Sequence, residues 1–342
     1  MYLSAHRLGV WAQTCLQAVQ VSAEDAVLVA DALVQTSLWG IDSHGIARLT
    51  HYLARIQAGS IEPQPLLAIT ETGPCTAQLN AGHALGIIAC RRAMQVAIEM
   101  AQRNGLGLVG VSESTHCGAI GLYTRQAARV GLIGIAFTHS DALVAPFGGV
   151  QRFLGTNPLS IAFPRTGGEP LCLDMATSAI PWNKVMNARR THEPLPEQVA
   201  IDANGQFTTN AQHVAALFPL GGAYGYKGYG LALMVDLLCG TLNGMPFGPH
   251  ISVMYGDLTQ RRHLGSLVMA IDPRRFAGGE TLAETVAHII KELKEQPGEI
   301  LFPGEPEYRH EVERRESGIP VDIELLAEMN TWSEKLGVPA LV

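Results

Sequence analysis

Gly105-Leu106-Gly107-Leu108-Val109-Gly110 spells GxGxxG, and how those residues are read decides the fold. In a Rossmann unit the pattern lies between a strand and a helix, where its glycines let the backbone approach a pyrophosphate at the helix N-terminus. Here the order is inverted. The pattern of Gly86–Asn104 predicts a helix before the glycines, and apolar Leu106–Ser112 predicts a strand after them. Gly105 therefore reads as a helix end, and the later glycines as parts of a packed strand.

Working outward, Leu66–Glu71, Thr76–Asn80, Leu132–Thr138, Leu159–Phe163, Leu171–Asp174 and Ser266–Ile271 read as strands. Ile120–Val130 and Tyr229–Gly240 read as helices between them, and Ala203-Asn204-Gly205-Gln206 as a turn. Both chain ends are helical in texture: residues 4–20, 22–38, a third helix through 41–58, then 281–295 and 321–336. Ser22-Ala23-Glu24-Asp25 supplies an N-cap with acids in the first turn. Glu62-Pro63-Gln64-Pro65 and Gly278-Gly279 break the pattern. They divide the chain into a helical part (1–65), an α/β part (66–279) and a second helical part (280–342), whose last helix is expected to rejoin the first ones.

Apolar residues make up 47% of the 342 and charged ones 16%, which is enough for a large core and excludes a disordered chain. With 24 basic against 31 acidic residues and no basic run, nucleic acid is not an expected partner. Cys15, Cys75, Cys90, Cys117, Cys172 and Cys239 show no CxxC or finger spacing, so they read as thiols of a reducing compartment and no metal is expected. Neither a signal peptide nor a membrane-length apolar stretch is evident, so a cytoplasmic location is expected.

The candidate chemistry begins at Ile41-Asp42-Ser43-His44-Gly45-Ile46-Ala47-Arg48. On a helix, His44 and Arg48 would share one face. A proton-transfer group beside a planar cation suits a small carboxylic acid whose hydroxyl or carbonyl reacts, with Ser43 placed to orient the ring. His116-Cys117-Gly118-Ala119-Ile120-Gly121 leaves a strand and opens a helix, so His116 can stand beside an anion at free N–H groups. The pair His116–Cys117 leaves a hydrolase as the rival class, although no metal or orienting group is spaced to support it. Gly155-Thr156-Asn157-Pro158 and Asp174-Met175-Ala176-Thr177-Ser178 are turns rich in small polar side chains. Lys227 precedes a helix where an ammonium can meet a phosphate or ribose, and Phe302-Pro303-Gly304-Glu305-Pro306 forms a rigid turn.

In this order, Asp42–Gly45 with Arg48, His116–Gly121, Gly155–Pro158, Asp174–Ser178, Lys227-Gly228-Tyr229-Gly230 and Phe302-Pro303-Gly304 resemble the malate/L-lactate dehydrogenase family of NAD(P)-dependent oxidoreductases, over nearly the whole chain. The resemblance implies an α/β (α+β) fold. A non-Rossmann dinucleotide-binding domain is built around a largely antiparallel sheet, beside a helical domain formed by both chain ends. It also implies a homodimer, a small carboxylate substrate, and NAD as cofactor with NADP as the alternative. His116, or His44 with Ser43, would be the acid/base, and Arg48, Ser140, Thr156 and Arg262 would meet the substrate. Cofactor contacts would come from His116, Cys117, Gly118, Ala119, Ile120, Asp174, Met175, Ala176, Lys227, Pro303, Gly304 and Glu305. Glu305 is expected to accept from a ribose hydroxyl and repel a 2′-phosphate. Glu71–Cys75, Ser140-Asp141, Pro146–Gly149, Pro246–Gly248 and Met254-Tyr255 resemble the ureidoglycolate-oxidising branch. Trp182-Asn183-Lys184 stands where imino-acid-reducing branches carry an aspartate.

Overall fold

In the computed structural model, which describes residues 1–342, the glycines of 105–110 serve packing. Gly105 has φ +91° and its N–H donates to the Ala101 carbonyl at 2.7 Å, ending the preceding helix. A Cβ at Gly107 would overlap the Ala97 carbonyl, and one at Gly110 would overlap Asn243 Oδ1. The strand thus lies against the helix at a distance only glycine permits, and no strand–helix phosphate turn forms there.

The helices are α1 (Ala5–Ala18), α2 (Ala23–Leu38), α3 (Leu49–Gln57), α4 (Gly86–Asn104), α5 (Gly121–Ala128), α6 (Trp182–Thr191), α7 (Tyr226–Cys239), α8 (Gly279–Glu295), α9 (Glu305–Ser317) and α10 (Ile323–Leu336). The strands are β1 (Tyr2–Leu3), β2 (Ala68–Gly73), β3 (Thr76–Asn80), β4 (Leu106–Ser114), β5 (Ile133–Thr138), β6 (Leu159–Phe163), β7 (Leu171–Met175), β8 (Ala200–Ile201), β9 (Ala216–Leu217), β10 (Leu264–Ile271) and β11 (Ile319–Pro320). Seven of them form one sheet in the order β2-β3-β4-β10-β5-β6-β7, in which only β3 and β4 run parallel. The sheet is largely antiparallel, as the family resemblance implies.

Small residues let α4 lie close on this sheet. Ala89, Ala93 and Ala97 share a buried core with Val109 and Val111 of β4 and Val268 and Ala270 of β10. A second core joins Leu8, Leu16, Leu33, Leu49 and Leu53 to Ile319, Val321, Met329 and Leu341, so the two chain ends meet. Pairing of β1 with β11 and the bond from Trp11 Nε1 to Ser333 Oγ (2.8 Å) close that junction. The rest of the C-terminal segment divides. The Ala283 carbonyl of α8 accepts from Thr166 N–H at 3.2 Å, whereas Glu311 of α9 accepts from Trp39 Nε1 at 3.0 Å. No helix is long and apolar enough to cross a membrane.

Two local expectations need correction, and one helix was not foreseen. The third helix is not continuous: 3₁₀ turns at Asp42–His44 and Ile46–Arg48 precede α3. Gly45 breaks it, because Ser37 Oγ accepts from Ile46 N–H at 2.9 Å where a Cβ on Gly45 would collide with it. The last helix begins only at Ile323, capped by Asp322, since Ile319–Pro320 is taken by β11. Helix α6 had no visible periodicity because only Val185 and Ala188 are buried in it.

Candidate active site

Between the helical core and the sheet lies a cavity of about 100 Å³. His44, Arg48, His116, Ser140 and Thr156 line it, five of the sequence-predicted residues brought together from four separate stretches. Asp141, Leu143, Pro181, Trp182, Asn183, Met254 and Tyr255 complete the wall. A larger groove of about 720 Å³ along α1 and α2 contains none of the candidate residues.

The break at Gly45 turns the backbone so that Arg48 folds back over its own segment. Arg48 Nε donates to the Ser43 carbonyl at 2.5 Å, and Nη1 donates to the Tyr255 hydroxyl. The remaining nitrogen, Nη2, has no partner in the protein and is available to an anion. Ser43 Oγ lies 2.9 Å from His44 Nδ1 and fixes that ring. His116 arrives from the other side, at the end of β4. Its loop is anchored where Thr115 Oγ1 donates to the Ala84 carbonyl (2.9 Å) and accepts from Gly86 N–H (3.0 Å).

His116 Nδ1 sits 2.7 Å from the Tyr52 hydroxyl, and its ring centroid is 5.4 Å from that of His44. Burial, then the charge of Arg48, pushes the His44 imidazole down to about 4. Burial and the neighbouring His44 and Arg48 push His116 well below the ordinary histidine range. Both rings are neutral near pH 7, so each can accept a proton.

Ser140 and Thr156 are tied to each other, since Thr156 N–H donates to Ser140 Oγ at 3.2 Å. Arg262 departs from expectation. It is buried, does not line the cavity, and pairs with Asp141 Oδ1 at 2.7 Å. A buried guanidinium requires a carboxylate, so Arg262 holds Asp141, which itself reaches the wall. Asp141 Oδ2 in turn accepts from Met254 N–H at 3.3 Å. Buried Arg55 donates to the carbonyls of Met254 (2.8 Å) and Val253 (3.2 Å), which positions Tyr255. Sequence reasoning did not assign roles to Tyr52, Arg55, Asn183 or Tyr255. Tyr52 was within reach, one helical turn after Arg48 on the same segment.

Asp174, the start of α5 and the Pro303–Gly304 turn meet at the β7 edge. Asp174 Oδ2 accepts from Gly121 N–H at 2.7 Å, at the start of α5. Burial raises the Asp174 carboxyl to about 6 against that bond and the nearby Arg125. The Pro303 carbonyl accepts from Cys172 N–H at 3.1 Å, and Gly304, at φ +93°, leaves Arg125 and Cys172 room that a Cβ would narrow. Met175 and Ala176 are half-buried where the chain leaves β7. Gly118, at φ +70°, turns the His116 loop, and Ala119 and Ile120 are buried behind it. Lys227 is exposed at the start of α7, 5.5 Å from the Tyr224 ring, and has no carboxylate partner. These groups fit a dinucleotide. A carboxylate suits ribose hydroxyls, a free ammonium suits phosphate, and glycines permit close approach.

Two expected contacts are corrected. The Cys117 side chain is buried in the sheet core beside Cys90, so only its backbone faces the loop. Glu305 is no free acceptor. Lys294 at 2.5 Å, Arg309 at 2.7 Å and Phe302 N–H at 3.2 Å occupy its oxygens. Burial opposes ionisation there, but those partners hold its carboxyl below the usual range.

Comparison with known proteins agrees with this geometry. The sequence description of the malate/L-lactate dehydrogenase family matches residues 3–330. Ureidoglycolate dehydrogenase (NAD(+)) of Escherichia coli (strain K12) is 42% identical over 287 residues, covering 82% of this chain and 81% of the relative. Malate dehydrogenase of Pyrococcus abyssi is 38% identical, covering 93% and 90%. Among solved structures, sulfolactate dehydrogenase from Methanocaldococcus jannaschii superposes with a TM-score of 0.93 at 33% identity, covering 99% and 98%. The chain belongs to the malate/L-lactate dehydrogenase family. It is, at that level, an NAD(P)-dependent dehydrogenase of hydroxy acids.

The depressed histidines predict acid sensitivity. His51, half-buried beside Arg55, is lowered to about 4 by burial and then by Arg55, matching His44. The unfolded chain takes up these protons near the ordinary value of 6.5, the folded chain only near 4. Folding stability is therefore full above about pH 6.5 and falls as pH drops toward 4. Denaturant midpoints should drop between pH 7.5 and 5 by less in His51→Gln than in the parent. Equal losses would exclude His51 from the effect.

Proposed function

We propose that this enzyme oxidises a small 2-hydroxy acid to the 2-oxo acid with NAD, and that the substrate is (S)-ureidoglycolate, giving oxalurate. The carrying observation is the pairing of Arg48 with two neutral imidazoles in a cavity of about 100 Å³. That volume is small beside the roughly 300–1,000 Å³ of drug-sized ligand sites, which favours a compact acid. Asn183 and Ser140 add amide and hydroxyl groups suited to a ureido end. Identity to the ureidoglycolate enzyme (42%) above that to the malate enzyme (38%) supports the same choice. Malate, lactate and sulfolactate are the alternatives within the family. The hydrolase reading falls away, because Cys117 is buried with Cys90 and the His116 ring is held by Tyr52. NAD rests on the NAD(+) of the ureidoglycolate enzyme, since the oxygens of Glu305 are engaged by Lys294 and Arg309; a related sulfolactate dehydrogenase is named for NADP(+).

In this reading Arg48 holds the carboxylate and thereby aims the substrate's hydroxyl-bearing carbon. His116 takes the hydroxyl proton through Nε2, its Nδ1 being engaged by Tyr52. For Nε2 to accept, Nδ1 carries the ring N–H and donates it to the Tyr52 hydroxyl in the neutral ring and the imidazolium alike, so one bond serves both reaction directions. His44, fixed by Ser43, lines the carboxylate side near Arg48. Leu143, Pro181 and Trp182 exclude water from the wall. Asp174, Lys227, the loop 116–120 and the Pro303–Gly304 turn would hold the nicotinamide cofactor, which supplies the hydride acceptor when bound.

Two outcomes are expected. Nicotinamide absorbance with a panel of 2-hydroxy acids should show the highest kcat/KM for ureidoglycolate with NAD; a larger value for malate, lactate or sulfolactate, or with NADP, would refute that choice. Arg48→Lys keeps the charge but loses the fork, and should cost about 1–3 kcal/mol in kcat/KM. Unchanged kinetics would remove Arg48 from the carboxylate.

A further inference from the structure

At the end of β4 that leads to His116, three residues far apart in sequence meet. His83 follows β3, Glu113 lies in β4, and His263 immediately precedes β10. Their ligand atoms all lie within 4.8 Å of one another. His263 Nδ1 is 2.6 Å and His83 Nδ1 is 3.5 Å from the same oxygen, Glu113 Oε2. The rings of His83 and His263 stand edge to face, with centroids 5.2 Å apart.

Two features go beyond a chance polar cluster. First, His83 Nδ1 is buried and makes no hydrogen bond, an arrangement that costs energy unless something else fills its lone pair. Second, all three residues have left-handed backbone, with φ of +64° (His83), +51° (Glu113) and +47° (His263). They are three of only seven non-glycine residues in that region in the whole chain. Such backbone is uncommon and persists where surrounding structure or a ligand enforces it.

We propose that His83, Glu113 and His263 bind a divalent transition-metal ion, with zinc the best fit. Two imidazoles and one carboxylate are a zinc donor set that leaves a fourth position for water. Zinc–ligand bonds of about 2.0–2.1 Å put tetrahedral ligand atoms about 3.3 Å apart. The His83–Glu113 separation of 3.5 Å already matches, and the His263–Glu113 contact of 2.6 Å has to open. The ion would tie β4 to β10 and to the β3–α4 connection, three residues before His116. It would fix the base of that loop without touching substrate. No spacing motif announces the site, because Glu113 and His263 are 150 residues apart.

The test is titration of the chelator-treated full chain with Co²⁺, followed by displacement with Zn²⁺. One equivalent should bind with visible d–d absorption and no thiolate charge-transfer band, zinc should bleach it, and zinc should raise the thermal midpoint. His83→Gln and His263→Gln should each weaken binding at least by the roughly hundredfold that loss of an outer-shell partner can cause. Half-exposed His263 tolerates substitution, so its variant is read alone if His83→Gln fails to fold. Absent stoichiometric binding, or binding that survives in the folded variants or carries the thiolate band, overturns the proposal.

Discussion

The bond between the Tyr52 hydroxyl and His116 Nδ1, 2.7 Å long, is the constraint on which the site depends. Tyr52 is among the most deeply buried residues of the helical core, packed with Leu49 and Leu53. His116 belongs to the loop that leaves β4 in the sheet layer. One hydrogen bond therefore registers two layers of the fold at the ring proposed to move a proton. Tyr52 is buried and His116 half-buried, so the bond is partly shielded from water, and loss of the ring would leave the buried hydroxyl without this partner.

Around that bond the wall is held by charges that cannot themselves react. Buried Arg55 collects backbone carbonyls from the 253–260 segment, and buried Arg262 is neutralised by Asp141. These pairs fix Met254 and Tyr255, which in turn hold Arg48. Arg48 is the arginine that lines the cavity, and its Nη2 has no protein partner; the unpartnered Nε and Nη1 of Arg262 are buried behind the wall. The arrangement distinguishes these cations from Arg48, the one proposed to meet the substrate carboxylate.

Much of this was legible in the sequence, for identifiable reasons. Thr76–Asn80, Gly86–Asn104 and Leu159–Phe163 carry strong local patterns, and the structure forms them with those bounds. The inverted order around Gly105 was enough to set aside a Rossmann unit. The cavity's five predicted residues sit in stretches of glycine, small polar residues and histidine that secondary structure alone does not require. What stayed hidden depends on side chains meeting across long separations. Nothing local says that Arg262 would turn its Nη2 to Asp141, leaving Nε and Nη1 without partners, or that Glu305 would be taken by Lys294 and Arg309. Nor could spacing foretell that a hydroxyl on Gly45's neighbour Ser37 would split the third helix.

The central claim is that His116, held by Tyr52, moves the substrate proton while His44 serves the carboxylate side. The pH dependence of kcat/KM in His116→Ala and His44→Ala, measured with saturating cofactor, tests it most directly. His116→Ala should lower turnover by about a hundred- to ten-thousand-fold and abolish the limb due to the catalytic base. His44→Ala should keep that limb and act mainly on KM. If the limb survives in His116→Ala and vanishes in His44→Ala, the proton belongs to His44 and the account of the site is contradicted.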